Sequence, residues 1–380
     1  MSSADNRRVL DYLRRHQSQM VVDLQRFIEL ESPTSNKPAV DAFGAALADE
    51  LRGLGAELDI IHKAEVGDVL WARWQPGAGG VLILSHMDTV WDVGTVPGRP
   101  TRIDGDRIYG VGAMDMKGGI VIALWALRAL RELALFPTQP ITYLLNSDEE
   151  TGSRHSSAEI EAEALAHAVV FVTEPPQDGK YKTQRKGAAH YIVTAKGRAA
   201  HSGADHARGI NAIAELAHQA LAVEAMTDYS IGTTANVGVI RGGTRPNVVP
   251  AQAQMEINTR ASTRANQQSI HEQIMRLQPR HPEAELIIKH VGGVPPMERT
   301  PEIAALFNRA QTLAAEMGIA LDEGSTGGGS DGNKTAALGV PTLDGMGIVG
   351  DGGHAIHEYG EISSLPERAA IMAAMLRERL

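Results

Sequence analysis

The residues best suited to chemistry in this 380-residue chain are imidazoles and carboxylates standing where apolar runs or glycine turns end. His86 and Asp88 follow the run Val81–Leu84 as HMD, and Asp115 stands in GVGAMDMKGG. Glu149 and Glu150 follow Ile141–Leu145 in NSDEETGS, Glu174 follows Val169–Val172, and His354 comes after a glycine pair near the C-terminus. Singly, each has an ordinary reading, HMD as a surface turn and DEE as a solvated loop. Together, His86, Asp115, Glu150, Glu174 and His354 form a ligand set made only of nitrogen and oxygen. With Asp115 shared between two ions, each ion would receive one histidine, one private carboxylate and the bridge. Two metals about 3.5–4 Å apart that share a water form a hydrolytic arrangement. Zn2+ suits this mixture, and Co2+ or Mn2+ would also fit.

Two acids remain beside the ligands. Asp88 lies two residues from His86 and could hold the second nitrogen of its ring. Glu149 adjoins Glu150 and could take a proton from the attacking water and pass it to a leaving amine. Spacing alone leaves open whether Glu149 or Glu150 binds metal, and whether His354 or His357 is the last ligand.

These groups need elements to carry them. Val81–Leu84, Ile141–Leu145 and Val169–Val172 read as buried strands that deliver ligands at their carboxyl ends, where open α/β sheets bind. Glu57–Ile61 and Val69–Trp74 read as further strands, and Asn6–Leu30, Val40–Leu54 and Lys117–Leu133 as helices. Gly118 and Gly119, at the start of that last helix, would free backbone N–H groups to face an anion. After Pro176 the pattern becomes strand-helix-strand-strand-helix-strand, the order of a small four-stranded α+β, ferredoxin-like unit. The expected division is therefore 1–181 with 295–380 for an α/β domain, and 182–294 for the insert. The stretch GKYKTQRKG at 179–187 offers Lys180, Lys182 and Lys186 either to an acidic substrate side chain or to solvent.

Composition narrows the function classes. A net charge of −10 argues against a nucleic-acid partner or an acidic membrane surface. With no cysteine, any metal must be held by histidine and carboxylates. The N-terminal residues scatter charge and hold no apolar core of a signal peptide, so a cytoplasmic protein is expected.

The sequence resembles the M20 family of di-zinc peptidases and amidohydrolases, and within it the glutamate carboxypeptidase (carboxypeptidase G-like) branch. The resemblance rests on SHMDTVW, GVGAMDMKGG, NSDEETGS, TEP, GRAAHSG, RPNVVPA, STGGGSDG and GGHAIHEY, in the family's order over nearly the whole chain. It implies a catalytic domain with a central mixed β-sheet flanked by helices, interrupted by a lid and dimerisation domain. It implies two Zn2+ per subunit, one on His86, Asp115 and Glu174 and the other on Asp115, Glu150 and His354. It implies Glu149 as general base, Asp88 orienting His86, and a cis Asp115–Met116 bond. His354 is preferred to His357 because it stands four residues before Glu358, as in relatives. His201 is implied as an oxyanion donor from the partner subunit of a homodimer. Arg260, Asn247 and the backbone at Gly328 and Gly329 are implied at the substrate's carboxylate. The expected activity is hydrolysis of N-acyl or N-peptidyl amino acids with release of the C-terminal amino acid. A dipeptidase or aminopeptidase of the same fold is the nearest alternative. A catalytically silent zinc-binding scaffold would lack a ligand or the base, and none is missing.

Overall fold

The structure is a computed structural model and describes residues 3–378. The chain separates into two compact units. The first comprises Met1–Thr183, Arg299–Ser325 and Ser330–Leu380, and the second Gln184–Glu298 with Thr326–Gly329. The short segment Thr326–Gly329, which the sequence reading left with the first domain, thus belongs to the second unit.

Six strands form the central sheet of the first unit. These are β1 (Glu57–Ile61), β2 (Val69–Trp74), β3 (Val81–His86), β4 (Ile141–Asn146), β5 (Val169–Val172) and β6 (Thr342–Leu343), in the spatial order β1-β2-β4-β3-β5-β6. β3 runs parallel to both β4 and β5, and β6 parallel to β5. β2 is antiparallel to β1 and β4, so the sheet is mixed. Every residue of β3, β4 and β5 is buried, as expected for strands covered on both faces. The three parallel strands β4, β3 and β5 are neighbours, so His86, the Glu149–Glu150 turn and Glu174 leave the sheet at one edge.

Helix Gly118–Glu132 packs in this core with its first ten residues, through Leu127, all buried. Its leading glycines have a steric cause. A Cβ at Gly119 would stand 2.0 Å from the Thr173 carbonyl oxygen, and one at Gly118 would stand 2.4 Å from Ile348 Cγ2. They let the helix start pack closely against Thr173 and Ile348. Asp115 comes just ahead of this helix, and the Asp115–Met116 peptide is cis.

A second, small sheet carries the remaining part of the site. Arg102–Asp104, Arg107–Tyr109, Tyr359–Glu361 and Gly350–Asp351 lie side by side. Tyr109 pairs with Tyr359 and Ile108 with Gly360. That register lays the turn 110–115 beside the turn 352–358, although they are far apart in sequence.

In the second unit, strands Thr234–Gly242, Gln252–Ala261, Gly187–Lys196 and Glu285–Val294 lie in that spatial order, all antiparallel. Tyr191, Val193, Met255 and Ile257 turn one face onto Leu216 of helix Ala212–Glu224 and Ile270 and Ile274 of helix Arg264–Met275. Burial along Gly187–Lys196 alternates residue by residue, the signature of a sheet covered on one side.

The sequence reading overlooked helices Ser157–Ala166 and Asp331–Ala337 and strand Tyr181–Arg185. Tyr181, Lys182, Thr183 and Arg185 are all buried, so this part of GKYKTQRKG is no solvated loop.

Glu215 ties the second unit together. Its side chain, 4% exposed, accepts from the backbone N–H groups of Arg280 (2.8 Å) and His281 (3.1 Å) and from Gln219 Nε2 (2.8 Å). Burial alone would raise this carboxyl, but those donors, Arg280 first, hold it below its usual range. Its contribution is therefore full above the unfolded carboxyl's pKa, about 4.3, and fades as pH falls below that. Glu215→Ala is expected to destabilise the protein by about 1–3 kcal/mol, because two buried N–H groups lose their acceptor. Thermal melts at pH 7 and pH 4 should show the penalty shrinking on acidification, and an equal penalty at both pH values would refute this account.

Candidate active site

Three strand ends and two turns bring the expected ligands together. His86 is the last residue of β3 and is 2% exposed. Its Nδ1 lies 2.9 Å from the carbonyl oxygen of Asp88. A carbonyl can only accept, so Nδ1 carries the proton and Nε2 is left facing outward. Nε2 lies 3.2 Å from Asp115 Oδ1 and 3.5 Å from Glu174 Oε1. On the other side of Asp115, His354 Nε2 lies 3.3 Å from Oδ2 and 3.1 Å from Glu150 Oε2. Asp115 therefore sits between two imidazoles and offers one oxygen to each. Donor atoms of His86, Asp115 and Glu150 lie within 4.8 Å of one another, as do those of His86, Glu149 and Glu174.

The electrostatics of this cluster follow from crowding. Four carboxylates, Asp115, Glu149, Glu150 and Glu174, surround two imidazoles. Burial disfavours charge on His86, yet Asp115, Asp88 and Glu174 hold its pKa well above the usual imidazole value. Asp115 and Glu150 push His354 up to about 10. Burial would raise Asp115, but hydrogen bonds from His354 and His86 hold it far below the carboxylate range. Burial, followed by the charge of Glu174, pushes Glu149 well above that range. Each of these shifts expresses a demand for positive charge at the centre. Glu150 Oε1 is also buried with no hydrogen-bond partner. An orphaned carboxylate oxygen beside outward-facing imidazole nitrogens fits divalent cations, which such donors ligate.

Asp88 has a wider role than the sequence suggested. Its carboxylate Oδ1 is 3.4 Å from His86 Nδ1, farther than its own carbonyl oxygen. The carboxylate instead accepts from the backbone N–H groups of Glu149 (3.2 Å) and Glu150 (3.1 Å) and from Thr34 Oγ1 (2.7 Å). It thus fixes the turn that presents both glutamates, while its backbone fixes the ring of His86. Behind His86, Ser85 Oγ bonds Tyr143 Oη (2.9 Å) and Thr173 Oγ1 (2.5 Å), a buried hydroxyl row across the three parallel strands.

Lys117, read from sequence only as a helix start, is 1% exposed. Its Nζ donates to the Leu30 carbonyl (2.7 Å) and lies 5.0 Å from the centre of the Phe43 ring. Burial pushes it down to about 7 against the charges of Glu358 and Glu31. Its signal in the sequence was a lysine between a carboxylate and two glycines. His357 stands against Gly352, whereas His354 faces Asp115 and Glu150. The backbone of His354 lies at φ 63°, in the left-handed region.

The other expected residues, His201, Asn247, Arg260, Gly328 and Gly329, all belong to the second unit. His201 is exposed, and its Nδ1 accepts from the N–H groups of Gly203 (3.1 Å) and Ala204 (3.1 Å). Nε2 therefore carries the proton and is available as a donor. The Asn247 carbonyl accepts from Ser202 N–H (3.1 Å), next to His201. Arg260 Nε bonds Asn258 Oδ1 (3.1 Å) and its Nη1 bonds the Gly327 carbonyl (3.3 Å). Arg185, 2% exposed, donates through Nη1 to the carbonyls of Gly328 (3.2 Å) and Gly329 (2.9 Å). Two guanidinium groups thus hold the glycine strip by its carbonyls.

Known proteins share this sequence and fold. Carboxypeptidase G2 of Pseudomonas sp. (strain RS-16) is 30% identical over 374 residues, covering 95% of this chain and 89% of that protein. Succinyl-diaminopimelate desuccinylase of Dechloromonas aromatica (strain RCB) is 30% identical over 356 residues, covering 87% of this chain and 92% of that protein. Among solved structures, a tripeptidase of Staphylococcus aureus superposes with a TM-score of 0.79 at 21% identity, covering 95% of this chain and 98% of that one. An M20 family metallo-carboxypeptidase of Sulfolobus solfataricus superposes with a TM-score of 0.70 at 16% identity, covering 94% and 98%. Residues 82–378 match the profile of peptidase family M20/M25/M40, and they span all the clustered residues from His86 to His354. The chain belongs to peptidase family M20/M25/M40 and is a hydrolase of that family.

Proposed function

We propose that this hydrolase cleaves the amide bond of N-acyl or N-peptidyl amino acids and releases the C-terminal amino acid. The observation that carries this reading is Asp115 lying between His86 and His354 with one oxygen toward each, at 3.2 and 3.3 Å. That arrangement supports a shared carboxylate between two ions. Two divalent cations would also offset the four carboxylates. His86, Asp115 and Glu174 would hold one and Asp115, Glu150 and His354 the other, with Zn2+ as the expected metal and Co2+ or Mn2+ as substitutes. Bound there, the ions supply Lewis acidity to the amide carbonyl and acidity to water.

The chain's own groups supply the remaining chemistry. Glu149 projects from the turn fixed by Asp88 and can take the proton of the attacking water, then return it to the leaving nitrogen. His201, protonated on Nε2, donates to the developing oxyanion, supplied by the second unit of the partner subunit in a homodimer. The fork of Arg260, held by Asn258 and Gly327, receives the substrate's carboxylate, with Asn247 and the backbone of Gly328 and Gly329 beside it. Relatives named as a carboxypeptidase and as a desuccinylase support a substrate with an acyl group on an amino-acid nitrogen. Lys180, Lys182 and Lys186 are all candidates to meet an acidic side chain, and the reading does not commit to glutamate.

A capped panel of N-acyl-Glu, -Asp, -Ala and -Leu, assayed with matched free dipeptides, tests the reaction. Release from capped substrates that stops on chelation and returns with Zn2+ is expected. Release from free dipeptides alone would move the assignment to a dipeptidase, and no release from either would leave a binding protein. Glu149→Gln is expected to lower kcat by about 10²- to 10⁴-fold while metal content stays at the wild-type level. Loss of metal in that variant would make Glu149 a ligand and overturn its role as base. His354→Ala should lose metal and activity where His357→Ala keeps both, and the reverse pattern in metal analysis would exchange their roles.

A further inference from the structure

Glu358 is a carboxylate for which the proposed chemistry has no use, although it sits four residues from His354. It is 1% exposed, and its side chain accepts from four N–H groups. Oε1 takes the backbone N–H of Met114 (3.0 Å) and of Asp115 itself (3.1 Å). Oε2 takes the backbone N–H of Gly112 (3.1 Å) and the indole N–H of Trp91 (3.1 Å). Its own carbonyl accepts from Gly110 N–H (3.4 Å), which continues the pairing of Tyr109 with Tyr359. Trp91 is held in turn: Arg99 lies 4.4 Å over its ring and donates through Nη2 to the Ile356 carbonyl (2.7 Å).

We propose that Glu358 is the positioning residue that sets the bridging carboxylate Asp115 in register with His354. The inference rests on the reading of Asp115 as a shared metal ligand. Glu358 anchors the turn that ends in Asp115 through three consecutive-turn N–H groups, and it is covalently part of the turn that carries His354. Through Trp91 it also reaches the segment that follows Asp88. One buried side chain thereby connects the three segments that supply His86, Asp115 and His354. All four partners are donors, so only an acceptor on both oxygens satisfies them. An amide at this position would point N–H groups at one donor pair, whichever way it turned.

The test uses Glu358→Gln and Trp91→Phe in the full-length protein, with Co2+ as the probe. Co2+ affinity is measured by competition with a chelator, kcat and KM on the best substrate of the capped panel, and folding by circular dichroism. Glu358→Gln is expected to bind Co2+ about 10- to 100-fold more weakly, the usual effect of disturbing a group that orients metal ligands. Its kcat should fall while KM stays within twofold, since the residue acts on the centre and not on substrate recognition. Trp91→Phe removes one donor and leaves the carboxylate, so about a fivefold loss of Co2+ affinity is expected. A folded Glu358→Gln with Co2+ affinity within twofold of wild type overturns the proposal. Should Glu358→Gln fail to fold, unchanged Co2+ affinity in Trp91→Phe overturns it instead. A wild-type protein that takes up no Co2+ overturns the metal-centre reading, and this proposal with it.

Discussion

Four carboxylates confined with two imidazoles at the carboxyl ends of three buried strands form the constraint on which the rest of the first unit depends. Like charges at such distances repel strongly where water is scarce, and a chain would ordinarily relax by turning the side chains apart. Here they are held in place by backbone. β4, β3 and β5 are parallel neighbours, so their ends coincide, and the glycine-led helix Gly118–Glu132 closes on Thr173 with no room for a side chain between. Cations held at such a centre would offset the repulsion that the fold maintains.

That maintenance is assigned to carboxylates that face away from the centre. Asp88 receives the N–H groups of Glu149 and Glu150, and Glu358 those of Met114 and Asp115. Each satisfies donors that the irregular backbone of a loop carrying cluster residues would otherwise leave unpaired. The pattern gives acidic residues two distinct places within a few ångströms, as members of the crowded cluster and as acceptors for the scaffold. Only their hydrogen-bond partners tell the two apart.

This distinction marks how far the sequence can be read. Strands β3 to β5 were legible as short unbroken apolar runs, and the βαββαβ order of the second unit was legible from the alternation that one-sided burial imposes. The clustering of His86, Glu150 and Glu174 was legible because apolar runs point to them. Helix Ser157–Ala166 was not, since SAEIEAEALA follows an acidic turn and alternates alanine with glutamate without a distinct apolar stripe. Helix Asp331–Ala337 begins in a glycine run and is defined by the capping box of Ser330 and Asn333, which only the folded backbone reveals. Asp88 was expected to hold the ring of His86, and its backbone carbonyl meets Nδ1, but the hold of its carboxylate on residues 61 and 62 positions away could not be read from local spacing. Glu358 was visible as a residue near His354 and had no apparent work, because its donors lie up to 267 positions upstream.

The pairing of Tyr109 with Tyr359 also has a consequence in time. Synthesis proceeds from the N-terminus, and domains begin to fold as they emerge. A growing chain that has reached residue 340 already carries His86, Asp115, Glu149, Glu150 and Glu174, yet neither His354 nor Glu358. At that stage the acidic cluster has lost one of its two imidazoles and the turn before Asp115 has no acceptor, while the small sheet is missing half its strands. The centre is therefore among the last features of the molecule to be assembled, and a ribosome must deliver almost the entire chain before its two imidazoles and four carboxylates can stand together.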